Sequence, residues 1–349
     1  MPAGMTLSAF VRLYTDNAPG EFRAVLADRD NRASALFLQR WDGVGDRARF
    51  GEITQARIRA FAPEAGGAFL ELKSGEEAFA RQAAQTGLTE GAILSVEIRS
   101  EARAGKLARA EPTERRPNDQ SSYERWLASV PGGGALVPEP NAERVNAAFE
   151  EAETRFVTLE GGGTLSLERT RALIAVDIDT AGRRGRGSAA ARALTINREA
   201  AQEVARQISL RGLGGNVVLD CVAPLNQSAS DQIRTSTRRA FDHYAISQAK
   251  VLKPSSIGLL QISVPWRFMP IEDQLQADPG ETRLIKLMRD LQREATQYPM
   301  QLYTLRLGGL ERDAYLSRKE NVTLALESHF GARVLVEHST EAKSEAVKR

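Results

Sequence analysis

Three carboxylates carry the chemistry this chain could do. In IAVDIDT (residues 174–180) Asp177 and Asp179 end an apolar, strand-like run, and in NVVLDCV (216–222) Asp220 ends a second. Side chains two apart on a strand share a face, so Asp177 and Asp179 can act together while Ile178 packs behind them. Carboxylates held close repel one another and shift upward in pKa unless a cation neutralises them. Hard oxygen donors with no His or Cys nearby suit magnesium, with manganese as a substitute, rather than zinc. A cation held by Asp177 and Asp220, with Asp179 beside it, would polarise a phosphodiester and activate a water for attack. The competing reading is that these acids cap turns or helix N-termini, because a strand closing in Asp-x-Asp is weakly specific alone.

The elements that must position these acids are legible around them. After Asp179 the chain becomes AGRRGRGS, whose Arg183, Arg184 and Arg186 suit phosphate groups. NREAAQEVARQISLR (197–211) then reads as a helix, with Asn197 as its N-cap, Val204 and Ile208 on one face, and Gly212, Gly214 and Gly215 ending it. Strand, helix and strand make a βαβ unit. If both strands share a sheet they run parallel, and their carboxyl ends meet at the edge where α/β proteins place ligands. Asp220 thereby joins Asp177 from the neighbouring strand.

The chain of 349 residues exceeds one ordinary domain, so two or three units are expected. With 42% hydrophobic and 26% charged residues it is globular, and no apolar run is long enough for a bilayer. One cysteine, Cys221, excludes an internal disulfide and a cysteine-cluster zinc site. The first residues lack a basic flank followed by an apolar core, which predicts a cytoplasmic protein. Net charge is only +2, yet residues 99–116 hold six Arg or Lys against three Glu, and residues 183–211 seven Arg against two Glu. Such runs are often solvated faces, but beside an acidic cluster they suit a polyanionic partner.

Residues 48–81 and 89–102 alternate apolar and polar positions and break at Pro63, Gly66, Gly67 and Gly75, predicting about five short strands and a small closed barrel of the OB type. On it Phe69 and Phe79 either stack bases or fill the core. Residues 111–140 read as a linker with one helical patch, and NAERVNAAFEEAETRF (141–156) as a helix capped by Asn141. Residues 281–338 read helix, strand, helix, strand, and the last ten as a frayed tail. Packing roles are expected for Trp41, Trp126 and Trp266, and surface or packing roles for His243, His329 and His338.

RTRALIAVDIDTAGRRGRG, LTINREAAQEVARQISLRGLGGNVVLDCV and KPSSIGLLQIS together resemble the catalytic core of the ribonuclease E/G family, cytoplasmic endoribonucleases that cut single-stranded RNA with magnesium. The middle segment is specific; the likeness elsewhere is weaker. The resemblance implies metal-binding roles for Asp177 and Asp220, 43 residues apart as the family pattern requires. Asp179 stands where the family has Asn. It further implies RNA contacts by Phe69, Phe79, Arg103 and Lys106. Ala245 replaces a family Arg, and neither a 5′-sensor domain nor a zinc-link motif is expected, so a zinc-linked tetramer is not; a homodimer stays compatible.

The expected fold is therefore α/β (α+β, multi-domain). Residues 1–35 form the first part of an RNase H-like subdomain, 36–110 the inserted OB-fold RNA-binding barrel, and 111–140 a linker in place of the sensor. Residues 141–270 form the RNase H-like/DNase I-like catalytic core with its βαβ metal site, and 281–340 a small C-terminal α/β domain. The expected function is magnesium-dependent hydrolysis of single-stranded RNA to 5′-phosphate and 3′-hydroxyl ends, in RNA processing or decay. The alternatives are a non-catalytic RNA-binding protein on the same scaffold and a phosphatase. For the latter, the haloacid-dehalogenase pattern wants Thr or Val where Ala181 stands, and a downstream acidic pair that does not follow a convincing strand.

Overall fold

The chain starts with an antiparallel meander, β1 (Phe10–Ala18), β2 (Glu21–Asp28) and β3 (Ala33–Arg40). The computed structural model describes residues 10–41, 47–81, 83, 87–103, 105–117, 120–181, 183, 187–339 and 343–348. Strand β3 pairs with β2 up to Arg40, so residues 36–40 belong to this first sheet rather than to the barrel. The barrel itself is β4 (Ile53–Ala62), β5 (Gly67–Leu72), β6 (Glu77–Ala80), β7 (Ile93–Ser100) and β8 (Ala108–Pro112), closed in the order β4-β5-β6-β8-β7 and consistent with an OB-fold. Its alternating positions bury Ile58, Leu70, Val96 and Ile98 inside and turn Phe69 outward.

Residues 111–140 are more than a linker. They carry α1 (Ser122–Ala128), opened by a capping box between Ser121 and Glu124, and β9 (Pro138–Pro140), which adds in parallel to β1. Trp126 of α1 is buried against Phe37, ring centroids 5.4 Å apart. Helix α2 (Ala142–Glu153), capped by Asn141, packs Val145, Ala148 and Phe149 over the other face of the first sheet.

The acids belong to a six-stranded sheet. Its strands are β10 (Phe156–Thr158), β11 (Thr164–Arg169), β12 (Leu173–Asp179), β13 (Gly215–Asp220), β14 (Lys250–Val251) and β15 (Leu259–Val264), in the order β10-β11-β12-β13-β15-β14. Helices α3 (Ala189–Arg211) and α4 (Gln227–His243) contribute Val204, Ile208, Ile233 and Phe241 to the core that Ile174, Val176, Ile178, Val217 and Leu219 form beneath the sheet. The opposite face presents Ala175, Asp177, Asp179, Asn216 and Asp220 to solvent. Helix α3 also meets β3, which puts it between two sheets and buries even Glu203, Arg206 and Gln207. Arg206 there bonds Glu203 at 2.6 Å and also pairs with Glu151, so the buried charges are matched.

Two sequence expectations change here. Helix α3 begins eight residues before Asn197, at Ala189, behind the cap Ser188, whose side chain accepts the Ala191 amide, because the Ala-rich stretch 189–193 continues the helix. The final residues hold a strand instead of a frayed end. After α5 (Ile271–Gln276), α6 (Pro279–Gln297), β16 (Tyr303–Leu307), α7 (Gly309–Ser317), α8 (Lys319–Phe330) and β17 (Val334–His338), β18 (Glu345–Lys348) pairs antiparallel with β16. No helix among the described residues is long and apolar enough to cross a membrane.

Candidate active site and nucleic-acid surface

Strands β12 and β13 run parallel with Val176 opposite Leu219, and continuing that register sets Asp177 beside Asp220. Adjacent strands lie about 4.8 Å apart, and both side chains are exposed on the same open face, so two carboxylates stand next to each other at the sheet's carboxyl edge. Ser166 on β11 lies across from Asp177, Thr164 from Asp179, and Leu259 on β15 from Asp220. Asp179 acts locally, since one of its carboxylate oxygens accepts the Ala181 amide at 2.8 Å and turns the chain out of the strand. Among the described residues no group of three or more His, Cys, Asp or Glu converges as a metal cage, so the arrangement is a pair with a third acid alongside.

Asn197 supplies support that its place in the sequence does not announce. It is fully buried in α3; its Nδ2 donates to the Val222 carbonyl at 2.9 Å and its Oδ1 accepts the Val222 amide at 2.8 Å. The residue expected to cap the helix therefore clamps the chain two residues beyond Asp220. The cue available in sequence is an amide in line with the buried stripe of a helix.

The basic loop is partly spoken for. Arg183 makes two bonds of 2.7 Å to Glu199 on α3 and one of 3.2 Å to the Gly162 carbonyl. The Glu199 hydrogen bonds raise the Arg183 pKa, and the same contact holds the Glu199 carboxyl below its usual range. A side chain at Gly161 would push this guanidinium aside. Arg183 fastens the loop to α3; Arg184 and Arg186 lie outside the described residues.

On the barrel, Phe69 and Phe79 are cross-strand partners with ring centroids 5.3 Å apart, Phe69 exposed and Phe79 half-buried, both on the outer surface. A Cβ at Gly67 would sit 2.7 Å from the Phe79 ring, so that glycine seats the pair. Lys106 is exposed, whereas Arg103 is buried, with its guanidinium 4.2 Å over the Trp266 ring and bonded to Ser100 at 2.8 Å. Burial, reinforced by Arg109, lowers the Arg103 pKa. Arg103 thus ties the barrel to the segment after β15. A groove of about 610 Å³ opens at that seam, lined by Phe79, Arg81, Arg99, Arg109, Trp266 and Arg267. Arg81 and Arg109 make no ion pair among the described residues, which leaves their charge for a ligand.

The two constellations are separate. Val264 pairs with Gly215 and Leu259 with Asp220, so the seam that follows β15 lies at the far end of β13 from the acids, roughly 17 Å along the strand. Ala245, at the end of α4, has a left-handed backbone (φ 60°), and its carbonyl accepts Arg267 at 3.0 Å.

Fold and site define a mixed α/β protein with a closed five-stranded barrel and a carboxylate pair at the edge of a separate sheet. Residues 138–265, which span the six-stranded sheet with α3 and α4, match the model of the Ribonuclease E/G family. It is 35% identical over 131 residues to Ribonuclease E of Haemophilus influenzae, covering 36% of this chain and 14% of that protein. It is 33% identical over 124 residues to Ribonuclease E of Escherichia coli K12, covering 34% and 11%. Ribonuclease G of the same organism is 29% identical over 119 residues, covering 34% and 24%. The chain thus spans less than a quarter of each of these relatives, and the barrel lies outside the matched segment.

Proposed function

We propose that the protein is an endoribonuclease that holds single-stranded RNA on the barrel and cuts it at Asp177 and Asp220. The observation that carries this is the placement of those two acids side by side, solvent-facing, at the carboxyl ends of parallel neighbours within the segment that matches the family. The donor set fits magnesium or manganese: two hard exposed carboxylates with no His beside them, the adjoining Cys221 thiol being buried in the core. When bound, the cation supplies Lewis-acid polarisation of the scissile phosphodiester and lowers the pKa of an attacking water. Asp177 and Asp220 would hold it from one side, leaving the solvent side open to RNA. Asn197 fixes the chain that follows Asp220, and Asp179, engaged with Ala181, adds negative charge beside the pair. Phe69 and Phe79 stack bases while Arg81, Arg109 and Lys106 hold phosphates. Attack by water on the phosphorus with cleavage of its bond to the 3′ oxygen, which leaves and takes up a proton, gives 5′-phosphate and 3′-hydroxyl ends.

The separation between the aromatic pair and the acids favours a second reading, RNA binding without turnover. Incubating 5′-labelled, AU-rich single-stranded RNA with the protein in magnesium and in EDTA decides between them. Discrete shortening only with magnesium is expected; intact but gel-shifted RNA in both would replace the first reading with the second.

A further inference from the structure

Helices α3 and α4 leave an open groove of about 1090 Å³ on their outer side, lined by Arg198, Gln202, Gln232, Ser236, Arg239 and His243 among others. Its two acids are already matched. Glu199 is held by Arg183, and Asp231 by Lys253 at 2.6 Å. Arg198 and Arg239 are exposed and make no ion pair or hydrogen bond among the described residues, so the groove keeps a net positive charge. Amide and hydroxyl groups fill the space between the two cations, the mix that contacts phosphates and sugars without reading bases.

The groove also adjoins the carboxyl end of the sheet, although Asp177 and Asp220 themselves face away from α3 and α4. Thr195 lines both it and a neighbouring cleft of about 480 Å³, which is bounded by Thr180, Arg183, Val222 and Ala223. Thr180 follows Asp179, and Val222 lies two residues past Asp220. A polyanion that passes over the acids and turns across the strand ends at Thr180 and Val222 would meet positive charge along the first half of α3.

We propose that the α3–α4 groove is a phosphate-backbone track for the RNA flank leaving Asp177 and Asp220, an inference that rests on the endoribonuclease reading. It assigns Arg198 and Arg239, exposed residues outside the carboxylate machinery, to RNA length recognition. The test compares wild type with the Arg198→Ala/Arg239→Ala double variant, binding two fluorescein-labelled single-stranded RNAs in EDTA by anisotropy. One is about 8 nucleotides, within the reach of a single barrel, and the other about 24, beyond it. The double variant is expected to bind the long RNA roughly tenfold more weakly, with a salt dependence shallower by about 1.4 in log-log slope, and the short RNA unchanged. Equal affinity of both proteins for the long RNA overturns the track, and so does an equal loss on both lengths. Cleavage by the wild type is scored separately in magnesium, so absence of cutting sinks the nuclease reading while the binding comparison still judges the groove.

Discussion

Replacing Asn197 by Ala removes two hydrogen bonds of 2.8 and 2.9 Å and leaves the Val222 amide and carbonyl without their partner. A buried polar group stripped of its partner costs about 1–3 kcal/mol. Val222 is half-buried, so water repairs part of the loss and each group sits near the low end. The space left in a fully buried position adds to this. The expected destabilisation is about 2–4 kcal/mol, read as a lower urea midpoint at unchanged slope. Asn197→Asp keeps an acceptor for the Val222 amide but sets a carboxylate against its carbonyl, so it should be at least as damaging. The local consequence follows from position: loosening Val222 loosens the end of β13 and with it Asp220. Manganese affinity followed by electron paramagnetic resonance should therefore fall, while binding of a short RNA to the barrel holds. A loss under about 0.5 kcal/mol together with unchanged manganese affinity would refute the clamp.

Ala245→Gly should raise stability by up to about 1 kcal/mol, because φ of 60° strains alanine and not glycine; a lower urea midpoint would contradict this. Phe69→Ala with Phe79→Ala should weaken single-stranded RNA binding by about 2–6 kcal/mol in total, measured by anisotropy; unchanged affinity would return the pair to a packing role. Burial raises the Glu203 carboxyl pKa, but Arg206 and Arg32 outweigh it and set the folded value below the usual range. Glu203 therefore contributes stability that is complete above the unfolded carboxylate value of about 4.3 and is lost as pH falls through the folded value. In acid urea titrations the difference between wild type and Glu203→Gln should begin to shrink near about pH 4.3 and go on shrinking as pH falls through the lower folded value, and a constant difference would remove Glu203 from the acid response.

Alternation made the acidic strand readable. In LIAVDID every second residue is a buried aliphatic, so the exposure of Asp177 and Asp179 followed from period two alone. The glycine-ended helix and the second apolar run gave the parallel neighbour and, through it, Asp220. What sequence left hidden was which polar groups already had partners. Arg183 reads as a free cation until the fold brings Glu199 to it, and Arg103 until Trp266, far along the chain, slides under its guanidinium. Asn197 has the chemistry of a cap, and only the longer reach of α3 makes it a buried clamp. Strand β18 is short and polar, and β16 alone gives it backbone partners among the described residues. The barrel's late start had the same cause, since β3 takes its partner from β2 and leaves nothing in its own composition to say so.

Asp177 and Asp220 acting as one metal-dependent site is the central claim. The measurement that tests it most directly is a single-turnover cleavage assay of Asp220→Asn beside wild type in magnesium, with RNA affinity measured on the same preparations. Cleavage is expected to vanish while affinity stays within about twofold, since binding rests on cations and stacking. A variant that cuts as fast as wild type would place the chemistry elsewhere on the molecule.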